Sequence, residues 1–507
     1  TGAGGGGVFF LKKLNIRPFL ESQHFMKRPP WLTLRPLRRI KIPHFWRLSA
    51  PALVAALTLW QMPAHADAPA VRQFTLANGM TLLVKPDHRA PTAVNMVWVR
   101  VGSMDEVDGT TGVAHVLEHM LFKGTPSVPE GEFSKRVAAL GGTDNAFTTK
   151  DYTGYYQQVP ANRLPDVMRL ESDRFANSQW TDAVFAKELE VVKEERRMRT
   201  EDEPHARLGE AMDAVLYLAH PHRRPVVGWM SDLDAMTADD ARAFYHQWYA
   251  PANAVVVVAG DVDPDQVHAW AEDTYGRIPA HALPVRKPRD EPAQAGMRRL
   301  DFKAPAEQAY VTLAFKVPGL HPDELAGTGG DDALALTVLS AVLDGYDGAR
   351  LDRALTQPRN HVADGASAHY GLFGRGPQVF LLDGVPAAGK TSAQVEQALR
   401  AQVRRIATEG VSEAELRRVK VQWVAGQVYQ RDSVFNQANT LGMQWINGFP
   451  PDADERLVAR LRKVTAQQVQ AVARRYFGDD ALTVATLLPQ PIDPNRPPRA
   501  PTSATLR

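Results

Sequence analysis

The chain has 507 residues, enough for two or more domains with ample core. Its formal net charge of +2 conceals an asymmetry: residues 1–66 hold ten Lys or Arg and one acidic residue, leaving 49 basic and 56 acidic residues beyond them, so nothing points to nucleic acid. The absence of cysteine excludes a thiolate metal site and fits an exported protein.

Residues 1–66 read as a leader. Met26-Lys27-Arg28 opens a basic stretch through Arg47, Ser49 to Met62 is a short apolar run, and Ala64-His65-Ala66 suits cleavage after small residues. The run is too short for an ordinary membrane span. We expect a signal peptide, a mature chain from about Asp67, no membrane span in it, and a periplasmic or secreted location. An uncleaved anchor is the alternative.

From Asp67 the pattern becomes regular. VRQFTLANGMTLLVKPD (71–87) reads as a hairpin turning at Asn78-Gly79, and residues 92–103 as the next strand. His115-Val-Leu-Glu118-His119 follows, a His-x-x-Glu-His motif of the inverted zinc-peptidase type. On a helix, positions i and i+4 share a face, so both imidazoles can meet one metal ion. Glu118 stands beside them, where a carboxylate can act as base on a water at that metal. Val113, Val116, Leu117, Met120 and Leu121 surround the triplet with apolar surface. Ionisable groups so placed need a partner, and a metal supplies one.

Two imidazoles leave a tetrahedral site one protein ligand short. Gly141-Gly142 makes a turn and Ala146 to Thr149 a short strand; then Thr181 to Glu201 reads as a helix capped by Thr181 or Asp182. That helix carries Glu188, Glu190, Glu194 and Glu195, of which Glu188 and Glu195 are seven apart and share a face. Spacing alone also allows a solvated acidic helix. Residues 252–262 form a buried strand, closing a domain at 67–280.

The Pro-, Arg- and Ala-rich stretch that follows marks a linker at 281–299, and then the pattern returns. The strand at 307–319 resembles that at 92–103. The segment 330–343 is a helix in the place of the metal helix but reads ALALTVLSAVL, with no His or Glu. Residues 413–430 mirror the helix bearing Glu195, and 481–489 mirror 252–262. A second domain without a metal site is expected at 300–488, before a Pro-rich tail at 489–507.

Three segments in order, HVLEHMLFKGT (115–125), GGTDNAFTTKDYTGYY (141–156) and KELEVVKEE (187–195), resemble the pitrilysin/insulysin family, in its bacterial processing-peptidase branch. The resemblance spans about residues 70 to 490 and implies an α+β fold. Two homologous αβ domains, each a half-barrel-like sheet with helices on one side, form a clamshell around an extended peptide. It implies one Zn²⁺ per chain on His115, His119 and Glu195, with Glu118 as general base of a metalloendopeptidase. Glu188 becomes a supporting carboxylate for one of the two histidines. The substrate is expected to add as a strand at Ala146, with Asn145 contacting its backbone. Phe122 either lines a side-chain pocket or packs in the core.

The family's second domain usually holds the substrate with an Arg and, seven residues later, a Tyr. Here Thr356 and Ala363 fall at those positions; Arg353, Arg359, His361 and Tyr370 are nearby without the spacing. That departure implies an active subunit paired with a homologous zinc-less partner that supplies the Arg/Tyr pair. The alternatives are a non-catalytic peptide-binding protein and a structural relative of the same fold.

Overall fold

Two β-sheets organise the chain, and they are wired alike. β1 (Arg72–Thr75), β2 (Thr81–Pro86), β3 (Thr92–Val99), β4 (Thr143–Thr148), β5 (Thr153–Pro160) and β6 (Ala254–Gly260) form the first, in the order β1-β2-β6-β3-β5-β4. β7 (Arg298–Pro305), β8 (Tyr310–Val317), β9 (Ala363–Tyr370), β10 (Gln378–Pro386) and β11 (Leu482–Gln490) form the second, in the order β7-β11-β8-β10-β9. Without β1 the orders coincide. In each, the first strand lies parallel to the last and the other pairs are antiparallel. This is the duplicated α+β architecture expected from the repeat. The computed structural model describes residues 70–327 and 329–493; the leader and most of the Pro-rich tail lie outside the described residues.

The central strands are apolar on both faces because both faces are covered. In β6, Ala254, Val256 and Val258 pack into the core beneath the helices of the first half. Val255, Val257 and Ala259 face the opposite way, against helix Val434–Ile446 from the second half. The exchange is reciprocal. Helix Pro204–Leu216 of the first half covers β7 and β11 of the second, burying Leu208, Met212 and Leu216. The expected helices on one side of each sheet are thus joined by one borrowed helix on the other. Gly442 permits the first of these contacts: a Cβ there would lie 2.2 Å from the indole of Trp98 on β3.

Two boundaries differ from expectation. β7 begins at Arg298, inside the stretch read as linker, because it pairs residue for residue with β11. β11 continues through Pro489 to Gln490, past the expected end of the second domain. Beyond Leu487 it has lost β8 as a neighbour and pairs only with β7, so a proline without an N–H is tolerated.

Candidate active site

Helix Val113–Met120 starts at a tight crossing. Gly112 takes a left-handed φ of 91°, and a Cβ on it would lie 2.5 Å from the carbonyl oxygen of Val227. Buried Glu106 caps the start of the helix, accepting from the N–H groups of Gly112 and Ala114 at 2.9 Å each. Burial pushes its carboxyl up to about 8 against the pull of those bonds. Val113, Val116, Leu117 and Met120 anchor the helix in the core, which turns His115 and His119 towards helix Asp182–Arg196. Thr181 caps that second helix, and Phe185, Leu189 and Val192 bury it.

There the ligand-type atoms converge. Nε2 of His115 lies 3.8 Å from Oε1 of Glu195, and Nε2 of His119 lies 3.3 Å from Oε2 of the same carboxylate. One donor atom from each of the three residues falls within 4.8 Å of the others. Ligands about 2.0–2.1 Å from a tetrahedral zinc stand roughly 3.3 Å apart, and two imidazoles with one carboxylate leave a fourth position open. The donor set therefore fits zinc. His119 is further held by Nδ1 at 2.9 Å from Oε1 of Glu188, whose other oxygen lies 2.6 Å from the Lys123 ammonium. Nδ1 of His115 is buried with no hydrogen-bond partner among the described residues, so the supporting carboxylate serves His119.

The electrostatics divide the pair. Burial lowers His115 to about 4. Burial also pulls on His119, but Glu188 and Glu195 outweigh it and raise the imidazole to about 9. Glu195 is held down at about 2: burial opposes this, and the His119 bond and the nearby charges of His115, His119 and Arg199 prevail. Burial raises Glu118.

Glu118 accepts a 2.5 Å hydrogen bond from the hydroxyl of Thr148, at the end of β4. β4 pairs only with β5, so its other edge has no strand beside it among the described residues. Asn145 and Ala146 sit on this edge strand; Oδ1 of Asn145 accepts from the N–H of Ala146 at 2.8 Å, and Ala146 turns towards the first core. Phe122 packs edge-on to Phe133 with the Arg174 guanidinium 4.5 Å above its ring, at the margin of that core.

Motif reading did not find Thr148, Glu106 or Arg199, which reaches Oε1 of Glu195 from the π-helical turn Arg197–Glu201. Thr148 and Glu106 act from other segments of the chain and have no periodic signal. Arg199 is four residues after Glu195, a spacing that could have drawn attention to it.

In the second half, Ala363 is fully buried at the start of β9, and Thr356 bonds back to Asp352 within a π-helical turn. The Tyr370 hydroxyl donates to the carbonyl of Pro318 at 2.6 Å, and His361 pairs with Asp364 at 3.0 Å.

Comparison with known proteins agrees with this geometry. Residues 81–228 match the family model described as insulinase (peptidase family M16), and residues 235–422 match that of the M16 peptidase inactive domain. The chain is similar to an uncharacterised zinc protease of Mycobacterium tuberculosis, 30% identical over 414 residues, covering 81% of this chain and 91% of that protein. Its fold is similar to the crystal structure of a protease from Helicobacter pylori, with a TM-score of 0.77, 26% identity, and coverage of 83% of this chain and 100% of that one. It also matches the periplasmic protease PqqL of Escherichia coli (TM-score 0.71, 20% identity), covering 84% of this chain and 49% of that longer one.

Proposed function

The chain belongs to the insulinase family of peptidases (family M16), and from that premise we propose that it is a zinc metalloendopeptidase acting on peptides or unfolded protein segments. The observation that carries the reading is the convergence of His115, His119 and Glu195 on one point, with the Glu118 carboxylate on the same helix. His115, His119 and Glu195 hold the metal, and Glu188 orients His119. Bound there, zinc lowers the pKa of a coordinated water to about 7 and polarises a carbonyl oxygen. Glu118 takes the proton from the attacking water and passes it to the leaving amine as the peptide C–N bond breaks.

The substrate adds as a strand to β4, where Ala146 and Asn145 present backbone and amide to its main chain. Main-chain pairing asks little of sequence, so extended, unstructured segments are the substrate class. Tyr370 spends its hydroxyl on the Pro318 carbonyl, and no Arg in 349–365 has a Tyr seven residues on. This supports an active subunit completed by a homologous, zinc-less subunit carrying the Arg/Tyr pair. The leader's basic stretch and apolar run support export to the periplasm or outside the cell. Among the described residues, no helix is long and apolar enough to cross a membrane.

The test is cleavage of a mixed pool of unstructured peptides by the zinc-loaded protein, with Glu118→Gln beside it. Cleavage that disappears in Glu118→Gln, with zinc retained, establishes the peptidase. If the lone chain cleaves at full rate, the need for a partner falls. If neither the chain nor its mixture with the homologue cleaves, the enzyme reading gives way to a peptide-binding one.

A further inference from the structure

We propose that Thr148 is a positioning residue that aims the Glu118 carboxylate from the strand on which the substrate lies. The inference rests on the peptidase reading above and adds to it a residue outside the metal helix. The Thr148 hydroxyl donates to Oε2 of Glu118 at 2.5 Å. A hydroxyl has a single proton to give, so Oε1 stays free to receive one from the attacking water.

The donor is itself fixed. Successive side chains of a strand alternate between faces. Ala146 and Thr148 therefore turn towards the metal helix, and Phe147 turns away. Phe147 wedges against Trp98 and Tyr152, with ring centroids 5.1 and 6.1 Å away. Opposite it β5 carries Gly154, where a Cβ would lie 2.3 Å from the Phe147 ring. Past Thr148 the chain turns under further bonds. The Thr149 hydroxyl donates to the Tyr152 carbonyl at 3.0 Å, and the N–H groups of Ser103 and Met104 donate to the carbonyls of Thr149 and Lys150. The backbone at Thr148 cannot slide without dislodging this packing. The base and the register of an added peptide strand thus take their positions from one element, β4.

The test compares Thr148→Val, which keeps shape and loses the hydroxyl, with Thr148→Ser, which keeps the hydroxyl. In the zinc-loaded full chain, T148V is expected to lower kcat about 10- to 100-fold on an unstructured fluorogenic peptide with KM within about twofold. Zinc content and Tm stay at the wild-type values, and T148S restores kcat to within about threefold of wild type. Independently of turnover, the Glu118 carboxylate stretch, isolated as the infrared difference between the wild type and E118Q, shifts in T148V and returns in T148S. Unchanged kcat or an unshifted band in T148V overturns the proposal. So does loss of zinc or of Tm that accounts for the lost rate, or a T148S as slow as T148V. A band that shifts in T148V while the wild-type chain shows no turnover, alone or with its homologue, sinks the peptidase reading instead and leaves the hydrogen bond a structural one.

Discussion

His115 and His119 share a helix face and a carboxylate, yet they hold protons very differently. At pH 7 and without metal, His115 is neutral, being lowered to about 4 by burial. Glu195 is ionised at about 2, and His119 is protonated because Glu188 and Glu195 raise it to about 9. Zinc binds the neutral imidazole, so uptake must displace the His119 proton. We expect His119 to contribute about one proton released per zinc at pH 7, beside whatever the bound water loses, and that share to fade as the pH rises past 9, where His119 has already lost it. Calorimetric titration in two buffers of different ionisation enthalpy reads the total directly, and zero release at pH 7 contradicts the assignment. Glu188→Gln removes the anion that holds His119 and pairs with Lys123. Zinc affinity is expected to fall by about 10- to 100-fold, measured by chelator competition. His115, Glu118 and His119 were legible as a motif, whereas Glu188 and Glu195, though a heptad apart, were set apart from a solvated acidic helix only by the family resemblance. Thr148 was not legible, because a single hydrogen bond between distant segments leaves no pattern along the chain, and Glu106 was not, because its two bonds go to nearby backbone N–H groups, which any sequence carries.

The helix Val434–Ile446 meets β3 and β6 with no room to spare. A methyl on Gly442 would collide with the buried indole of Trp98 at 2.2 Å, and neither a helix interior nor a fully buried ring can easily shift. Gly442→Ala is expected to destabilise the chain by about 1–3 kcal/mol through overpacking. Gly426, in helix Glu413–Gln430, has nothing within 4 Å of a Cβ, so Gly426→Ala should stabilise that helix by up to about 1 kcal/mol. Urea unfolding of the two variants distinguishes these opposite signs, and two equal shifts contradict the packing argument. Helix Glu413–Gln430 has the bounds expected from sequence, although its apolar residues are not gathered on one face. β9 (ADGASAHY) and β7 (RRLDFKAP) were not readable, since one has few large apolar residues and the other is an edge strand with charges on alternate positions. Their pairing partners, β10 and β11, define them as strands.

Across the whole molecule, the duplication was visible as repeated strand and helix patterns, and the exchange of helices between the halves was not. An amphipathic stripe says that a face is buried and is silent about which half buries it. The junction between the halves is also held by charge. Arg375, from the β9–β10 connection, places its guanidinium 2.8 and 2.9 Å from the Asp105 carboxylate and donates to the carbonyl of Asp151 at 2.7 Å. Glu291, in the segment joining the sheets, accepts from the N–H groups of Leu218, Ala219 and His220 at 3.0 Å and lies 2.6 Å from the Lys316 ammonium on β8. One carboxylate therefore ties the connection to both halves. Burial pushes its pKa up, but these bonds outweigh it and hold the group at about 2, below the ordinary 4.5. A depressed folded pKa contributes stability that is complete above the unfolded value and is lost as the pH falls through the folded one. The stability advantage of the wild type over Glu291→Gln should therefore be constant above about pH 5, on the order of 3 kcal/mol at most, and shrink between about 4.5 and 2. Thermal unfolding of both proteins from pH 7 to 2.5 measures it. A gap that does not change with pH means that Glu291 acts by shape alone, and the acid lability of the junction must then be sought at Asp151, whose carboxylate accepts from the backbone N–H of Arg375 at 2.9 Å and, against burial, is held below its ordinary range by His222 and Arg375.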